Sequence, residues 1–311
     1  MIVFLVTSAT FFLVRLAPGD PFTREVEGSA TSPEDVARQR RIHGLDRPLS
    51  IQYLDYVGKV SRGNLGVSFS ERRPVTLAIA ERVPATVVLA VAALLIDFAL
   101  GIATGVLQGA YARSRADNVL TGITLTLYSI PVFWFGLLLV LVFALGLGWL
   151  PVGGSQSPVG FEQMTLLEQA WDRISHLILP ALTLGLVGAA GTARYQRAAM
   201  QDVIRLAFIR TARAKGLTEQ LVLLRHGLRN SLLPMVTLFG LSFPILLSGA
   251  VLVESVFAWP GLGRFVVQAL EARDYPVITG IAIVASTMVV VGNLVADLLY
   301  RVVDPRTRQE A

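Results

Sequence analysis

A basic, polar stretch between two long apolar segments decides the fold: residues Ile204–Pro234 read IRLAFIRTARAKGLTEQLVLLRHGLRNSLLP. Lys215 followed by Gly216 is typical of a helix end, because a cation stabilises the last turn and glycine readily adopts the left-handed conformation. Thr218 suits the N-cap of a second helix, and leucines then recur at helical spacing up to Pro234. The stretch therefore predicts helix, tight turn and helix, held against a membrane face. We interpret it as a docking element.

Two other interpretations of this stretch compete with docking. The first is a solvated cytoplasmic loop whose cations obey the positive-inside bias of membrane proteins. The second is a DNA-binding helix-turn-helix, which would also carry basic charge around a glycine turn. Apolar spans at both ends disfavour the second interpretation, and no nucleic-acid partner is expected. The cations concerned are Arg210, Arg213, Lys215, Arg225 and Arg229.

The composition is that of a membrane protein. The 311 residues are 53% hydrophobic and 16% charged, with a mean hydropathy of +0.61, which is too apolar for a soluble domain of this length. The chain has no cysteine, which excludes disulfides, zinc–thiolate sites and thiol catalysis. The net charge of +5 is placed in loops between the apolar segments, so we interpret it as a topology signal.

Six apolar segments predict an all-α membrane protein with six transmembrane helices. Between Arg194 and Arg229 there are 8 Lys or Arg against 2 Asp or Glu, which places this loop, and both termini, in the cytoplasm. Pro131 inside the third segment predicts a kink rather than a site. Gly101, Gly105 and Gly109 in the second predict a close helix approach, inside this chain or on a partner. The predicted spans are residues 1–17, which are short, and Pro84–Ala110, Val119–Leu150, His176–Ala193, Met235–Leu252 and Val277–Tyr300.

Residues 18–83 form a long polar segment after the first span. Its 10 Lys or Arg and 9 Asp or Glu nearly cancel, and its length weakens the positive-inside bias, so nothing forces it into the cytoplasm. We predict an extracytoplasmic segment with short helices and no catalytic centre. Gly153–Arg173 is predicted as a second outer loop.

Another interruption, Glu254–Pro276, follows the fifth span. Phe257 and Trp259 suit a membrane interface, and Pro260 with the following glycines stops the helix. The apolar run Phe265–Ala269 can lie on the outer membrane face. By itself this pattern predicts a re-entrant or interfacial helix.

Signatures of catalysis are missing from the sequence. A phosphate-binding loop needs Gly-x4-Gly-Lys-Ser/Thr, but the only lysines, Lys59 and Lys215, are followed by Val60 and Gly216. The three histidines, His43, His176 and His226, fall in different regions, so no metal site is predicted. We do not expect this chain to hydrolyse ATP.

Carboxylates in or beside the spans raise a rival class, an ion-coupled secondary transporter. Asp297 has Arg301 at i+4, which favours an ion pair, and Glu254 at a span end is expected to face water. Asp97 has no in-helix partner. It could line a hydrated pathway or form a structural hydrogen bond to a neighbouring helix, and the sequence leaves both open.

Several short motifs resemble those of one family. TARAKG (Thr211–Gly216) with RHGLRNSLLP (Arg225–Pro234) is similar to the cytoplasmic EAA loop of ABC importer membrane subunits, especially the peptide-permease branch. Arg210, Thr211 and Ala212 replace the general Glu-Ala-Ala, as in that branch. Other motifs also resemble those of peptide permeases. They are the external motifs of residues 43–59 and 62–70, the ExVFxWPGLG and RDYP of the Glu254–Pro276 segment, and the Asp304–Arg306 ending.

The resemblance implies a type I ABC importer transmembrane domain over residues 84–311, with a cytoplasmic coupling loop at 201–231 and an external scoop at 254–276. The implied ATPase-coupling residues are Thr211, Ala212, Lys215, Gly216 and His226, with Ala212 on the docking face. The implied residues of the scoop, on which a binding protein would dock, are Glu254, Trp259, Pro260, Gly261, Gly263, Arg273 and Asp274. Asp97 is a possible pathway residue, and no metal site is implied.

The resemblance also implies an assembly in a bacterial or archaeal cytoplasmic membrane. This chain would be the first of two permease subunits, beside a second homologous membrane subunit, two cytoplasmic ABC ATPases and an extracytoplasmic substrate-binding protein. ATP and Mg would bind the ATPases, with no cofactor in this chain. Peptides are the expected substrates, and nickel, glutathione and oligosaccharides are the alternatives within the family.

Overall fold

The computed structural model describes residues 1–22 and 32–303, with side chains except those of 243–249, 297 and 299–303. The Asp297–Arg301 pair and the Asp304–Arg306 ending therefore lie outside the described residues and side chains. Regular structure in this part of the chain is helical, apart from one isolated bridge between Val67 and Pro74. The first helices are α1 Ile2–Leu16, α2 Pro33–Ile42, α3 Leu49–Val60, α4 Val75–Ala110, α5 Arg115–Ser129 and α6 Val132–Leu139. The later ones are α7 Leu166–Ile204, α8 Ala207–Ala214, α9 Glu219–Leu221, α10 Arg229–Ser231, α11 Leu233–Val256, α12 Leu262–Ala272 and α13 Tyr275–Val303.

Two compact units make up the chain. The first unit combines Met1–Pro84 with Arg264–Met288, and the second combines Ala85–Gly263 with Val289–Ala311. Their boundaries pass through α4 and α13, so each of these helices contributes to both units. The coupling loop lies wholly in the second unit, whereas the predicted scoop is divided between the units at Gly263.

Three of the described helices are long and apolar enough to cross a membrane: α4, α7 and residues Tyr275–Ala296 of α13. α1 and Leu233–Ser242 of α11 are shorter apolar stretches. α7 begins at Leu166, where Thr165 and Glu168 form a capping box. The predicted fourth span is thus the middle of a longer helix, and the predicted outer loop Gly153–Arg173 is correspondingly shorter.

The third predicted span is not one kinked helix. α5 and α6 are bent by 106° relative to one another, and Pro131 lies at the break. Proline has no N–H for the helix and forces an extended conformation on the residue before it, which is what Ile130 adopts (ψ 132°). The prediction of a simple kink was wrong because the helix does not resume in its former direction.

The glycines of α4 pack against α7 within the second unit, which decides between the two sequence-based alternatives. A Cβ placed on Gly101 or Gly105 would lie 2.6 Å from Thr192 Cβ or 2.5 Å from the Ala193 carbonyl oxygen. Gly188 of α7 leaves room in return for a side chain of α4, the Asp97 carboxylate. The two helices therefore approach through small residues on both partners.

The buried core of the second unit joins α4, α7, α11 and the turn that follows α11. Its central side chains exclude water almost completely, which fixes that turn against the helices. They include Leu89, Ala93, Leu179, Leu184, Val253, Phe257 and Trp259.

In the first unit, the predicted short helices of residues 18–83 are present as α2 and α3. Phe11 of α1 is fully buried and stacks on Tyr56 of α3, with ring centroids 4.9 Å apart. Arg15 does not extend freely: its guanidinium lies 3.8 Å from the Phe11 ring centroid and donates to Gln52 Oε1. α1 is thereby held against α3.

Candidate docking sites

The coupling loop forms the predicted helix–turn–helix. α8 ends at Ala214, Lys215 is its C-cap, and Gly216 has φ +78° with its N–H donating to the Arg213 carbonyl (2.9 Å). Thr218 is the N-cap of the next helix, but its side chain makes no capping hydrogen bond. That helix runs from α9 through a π-helical stretch, Val222–Leu228, into α10. The tight turn at Gly216 is thus confirmed.

The coupling loop has a small hydrophobic core of its own. Ile209 and Ala212 on the inner face of α8 pack with Val203 and Val222, and Leu217 covers the edge. Ala212 is only 6% exposed, so it faces this core and not a partner. The expectation that Ala212 lies on a docking surface was wrong, because the motif gives its position in the chain but not the side of α8 it occupies.

The outer face of α8 is exposed and carries short side chains, with cations and the exposed Phe208 around them. Of the residues implied for coupling, Thr211, Lys215 and Gly216 are exposed, and His226 on the second helix is half-buried. Ala207 and Ala214 complete the face, which we call the α8 outer face, and Arg210 lies beside them. Short side chains on an exposed helix allow a partner surface to approach the backbone closely.

An ion pair spans the turn and was not anticipated from the sequence. Arg213 donates to Glu219 through Nη2 (2.6 Å) and Nε (3.0 Å). This bidentate contact holds the pKa of the Glu219 carboxyl below its usual value. Its stabilising effect is therefore present above the unfolded-state pKa of Glu219 and lost as pH falls through the lower folded-state value. The pair ties the end of α8 to the start of α9.

Breaking this ion pair should weaken ATPase association with the coupling loop modestly. Arg213→Glu is expected to weaken ATPase association by roughly two- to fivefold, since exposed ion pairs contribute about 0.2–1 kcal/mol. The double variant Arg213→Glu with Glu219→Arg should recover most of the loss, measured as ATPase retained on the purified membrane complex. Equal losses in the single and double variants would show that Arg213 acts through a partner and not through Glu219.

The second coupling helix is attached to α7 by close contacts. Met200 of α7 is fully buried, and a Cβ on Gly227 would lie 2.7 Å from its Cε. On its other side, a Cβ on Gly109 of α4 would lie 2.6 Å from Met200 Cβ. Gln196 Nε2 also donates to Ser231 Oγ (2.8 Å). The coupling loop, α7 and α4 are thus in contact through one side chain.

The first half of the scoop, in the second unit, is organised around a buried carboxylate. Glu254 is fully buried and accepts a hydrogen bond from Thr86 Oγ1 (2.7 Å), which in turn accepts one from Leu262 N–H (2.8 Å). A Cβ on Gly261 would lie 2.3 Å from this carboxylate, and one on Gly263 would lie 3.0 Å from it. The expectation that Glu254 faces water was wrong, since the chain folds back over it at the glycines.

Trp259 is buried as well, and not part of an interfacial belt in this chain. It is 4% exposed, and its Nε1 donates to the Ala85 carbonyl (2.9 Å). The preceding Ala258 has φ +49°, and Trp259 N–H donates to the Glu254 carbonyl, as in a Schellman helix end. Pro260 is exposed and follows at the bend.

The second half of the scoop, in the first unit, also ends on a buried carboxylate. Asp274 is fully buried and accepts from Ser68 Oγ (2.6 Å), Ser70 N–H (2.9 Å) and Ser70 Oγ (2.8 Å). It fixes Ser68 and Ser70 to the start of α13. Arg273 beside it is exposed with φ +53°.

Most residues implied for the scoop therefore build it and do not present a surface. Glu254, Trp259, Gly261, Gly263 and Asp274 are buried, and the exposed ones are Pro260 and Arg273. The five buried residues shape the scoop, and docking of a binding protein on it stays a prediction. A motif identifies residues that a structure needs, whether for contact or for shape.

Asp97 forms the structural hydrogen bond, the second of its two interpretations. Its carboxylate is 4% exposed and accepts from Thr192 Oγ1 of α7 (2.6 Å), in the space that Gly188 leaves open. The structure thus does not place it in a hydrated pathway. Among the described residues, no group of three or more His, Asp or Glu could hold a metal ion.

Comparison with known proteins identifies the class of the chain. Residues 99–309 match the family described as binding-protein-dependent transport system inner membrane component, and residues 1–90 match its N-terminal region. The chain belongs to this family. It is therefore an ABC importer membrane subunit of the bacterial inner membrane, and ATP hydrolysis lies on partner subunits.

Similar curated proteins cover almost the whole chain. The di/tripeptide transport system permease protein DppB of Pseudomonas aeruginosa is 41% identical over 99% of this chain and 95% of its own length. The oligopeptide transport system permease protein AppB of Bacillus subtilis is 41% identical over 97% and 93%. The glutathione transport system permease protein GsiC of Escherichia coli is 39% identical over 98% and 94%.

A solved structure shares the fold. The MetNI methionine ABC transporter in an inward-facing conformation contains a chain with a TM-score of 0.60 and 16% identity, covering 74% of this chain and 97% of its own. The type I ABC importer membrane fold is thereby confirmed.

Proposed function

We propose that this chain is the first permease subunit of a peptide importer and forms half of the translocation path. The observation that carries the proposal is the coupling loop, whose exposed α8 outer face rests on a rigid turn and a core of its own. Full-length similarity to two peptide permeases supports peptides as the substrate class.

The proposed assembly has a second homologous membrane subunit, two cytoplasmic ABC ATPases that bind ATP and Mg, and an extracytoplasmic binding protein. ATPase closure would move the coupling loop, and α7 and α4 would follow through Met200. The spans would then alternate as rigid bodies between inward- and outward-facing states. The binding protein would sit over the scoop, and in its first half the exposed Pro260 would contact it.

The topology we propose has six spans, made by α1, α4, the α5–α6 pair, α7, α11 and α13, with both termini in the cytoplasm. α11 supports opposite locations for coupling loop and scoop, because its 24 residues extend about 36 Å between them. Residues 18–83 and the scoop would face the outside.

Cysteine labelling tests this topology without background, since the chain has no cysteine. Ser61→Cys should react with an impermeant thiol reagent added outside intact cells, because Ser61 is exposed in the extracytoplasmic segment. Ala112→Cys and Ala214→Cys, exposed in the proposed cytoplasmic loops, should react only after permeabilisation. Labelling of all three from outside would contradict the topology.

Uptake by the purified complex tests the function. Proteoliposomes that contain the partner subunits should accumulate radiolabelled trialanine in their lumen. The binding protein is added outside, and ATP is enclosed in the lumen with the ATPases. A protonophore should leave the initial rate unchanged, whereas an ion-coupled carrier would stop. Uptake of glutathione or nickel in place of trialanine would assign the chain to another substrate of the family.

A further inference from the structure

The break between α5 and α6 exposes backbone groups inside a membrane protein. The last carbonyls of α5 have no intrahelical donor, and Pro131 supplies no N–H. In hydrocarbon such groups cost several kcal/mol, so irregular backbone is tolerated where it is buried in protein or lines a water-filled cavity. A cavity of about 670 Å³ lies at this break and is wide open to the surface of the chain. Its lining is mostly apolar and includes Thr126, Ser129 and Trp134.

The hydroxyls at the break can accept hydrogen bonds. Thr126 Oγ1 donates to the Gly122 carbonyl (2.9 Å), and Ser129 Oγ donates to the Leu125 carbonyl (2.8 Å). Both hydroxyl hydrogens therefore take part in hydrogen bonds, and the lone pairs of both oxygens remain free to accept. Together with the carbonyl end of α5, which carries partial negative charge, this region suits an ammonium group or peptide N–H.

A second cavity, of about 320 Å³, continues along α5 and shares Leu125 with the first. Its lining is polar and includes Gln108, Thr121, Thr124, Arg194, Arg197 and Gln201. Polar side chains are costly in membrane helices and mark substrate or ion paths. The polar side chains of the two cavities follow one another along α5, and we call them the polar track.

The arginines of the second cavity have unused donors. Arg197 Nη2 contacts Asp117 Oδ2 (2.8 Å), but its Nε has no acceptor among the described residues. Arg194 is exposed over the Tyr128 ring, with no carboxylate in ion-pair distance in the described part of the chain. Gln108 is 1% exposed, and its Oε1 is an acceptor without a donor among the described residues. The site therefore offers the cationic donors of the two arginines to an anion, with this one acceptor beside them.

We propose that this track is a wall of the translocation path and that Arg194 and Arg197 receive the carboxylate of the transported peptide. Its length supports this: Thr121 to Ser129 rises about 12 Å, and an extended peptide of three to four residues spans about the same at ~3.3–3.6 Å per residue. Acceptors at one end and cations at the other complement a zwitterion. The proposal rests on the proposed peptide import and names its substrate-contacting residues.

The first test compares charge variants in proteoliposomes that take up trialanine. Arg194→Gln should lower the maximal uptake rate by roughly tenfold, as expected when a charge-assisted hydrogen bond is lost. Arg194→Lys should keep most of the rate, and Arg115→Gln, an exposed cation outside the track, should match the parent. Assembly should be equal in all three, measured as ATPase retained on the purified complex.

The second test needs no arginine variant. Ser129→Cys should react with an impermeant thiol reagent during turnover, and trialanine should slow the labelling. Two results together would overturn the track while leaving peptide import intact. Trialanine would fail to slow the labelling of Ser129→Cys, and Arg194→Gln would take up trialanine at the parental rate. Failure of the parental complex to take up trialanine would instead refute the proposed function and the track with it. An effect of Arg194→Gln seen only in vesicles containing phosphatidylglycerol, and absent in phosphatidylcholine, would reassign the arginines to a lipid phosphate.

Discussion

Gly216→Val is expected to release the ATPase subunits from an otherwise intact membrane complex. Gly216 has φ +78°, where a residue with a Cβ costs about 1–2 kcal/mol and a β-branched one more. No heavy atom lies within 4 Å of the Cβ position, so the substitution acts through backbone conformation alone. A changed angle between α8 and α9 would turn the α8 outer face away from its partner. ATPase retained on the affinity-purified complex, relative to the amount of membrane subunit, measures the loss.

Gly63→Val is the matched control for Gly216→Val. Gly63 has φ +75° and also no heavy atom within 4 Å of its Cβ position, but it follows α3 in the first unit. It should strain its own turn equally and leave ATPase retention unchanged. Arg225→Gln, which removes an exposed cation near the loop, should also be tolerated. Full ATPase retention with Gly216→Val would end the docking hypothesis. Ala212→Asp does not serve this purpose, because a buried Ala212 affects the loop's core.

Gly105→Ala should destabilise the second unit far more than its size suggests. The added Cβ would lie 2.5 Å from the Ala193 carbonyl oxygen, which is backbone and has no rotamer to escape into. α4 and α7 would have to separate, at a cost of about 1–3 kcal/mol, typical of overpacking. Because the Asp97–Thr192 hydrogen bond and the Met200 contact lie along the same interface, both should weaken. The midpoint of thermal unfolding in detergent measures the effect.

Gly122→Ala supplies the comparison for Gly105→Ala. Gly122 is a helical glycine of α5 with nothing within 4 Å of its Cβ position. Alanine there should be neutral or raise stability by about 0.5–1 kcal/mol, because glycine is a poor helix former. Equal midpoints for the two variants would show that α4 and α7 do not approach as closely as the structure has them.

The second unit connects the two docking sites directly. α11 leads from the end of the coupling loop to Glu254, and Met200 links the same loop to α4, which carries Thr86 at its other end. Movement of the coupling loop can therefore reach the first half of the scoop through two helices of one unit. This arrangement supports a rigid-body switch better than one carried by a titrating carboxylate in a span.

The sequence by itself determined the helical membrane class, the turn at Gly216 and the small-residue face of α4. These features depend on local chemistry: apolar length, left-handed backbone at glycine, and a four-residue repeat that stays on one helix face. The resemblance to the family depended on short contiguous motifs, and the comparisons confirmed the family.

Only the tertiary structure decided which side chains face a partner and which are buried. Ala212, Glu254 and Asp274 lie in motifs associated with docking, yet each is covered by residues distant in sequence. The same holds for Asp97, whose partner Thr192 is on another helix. Likewise, Pro131 predicts a disturbance in a helix, but the angle of 106° between α5 and α6 is seen only in the structure. Burial and direction are properties of these long-range contacts, and local sequence does not encode them.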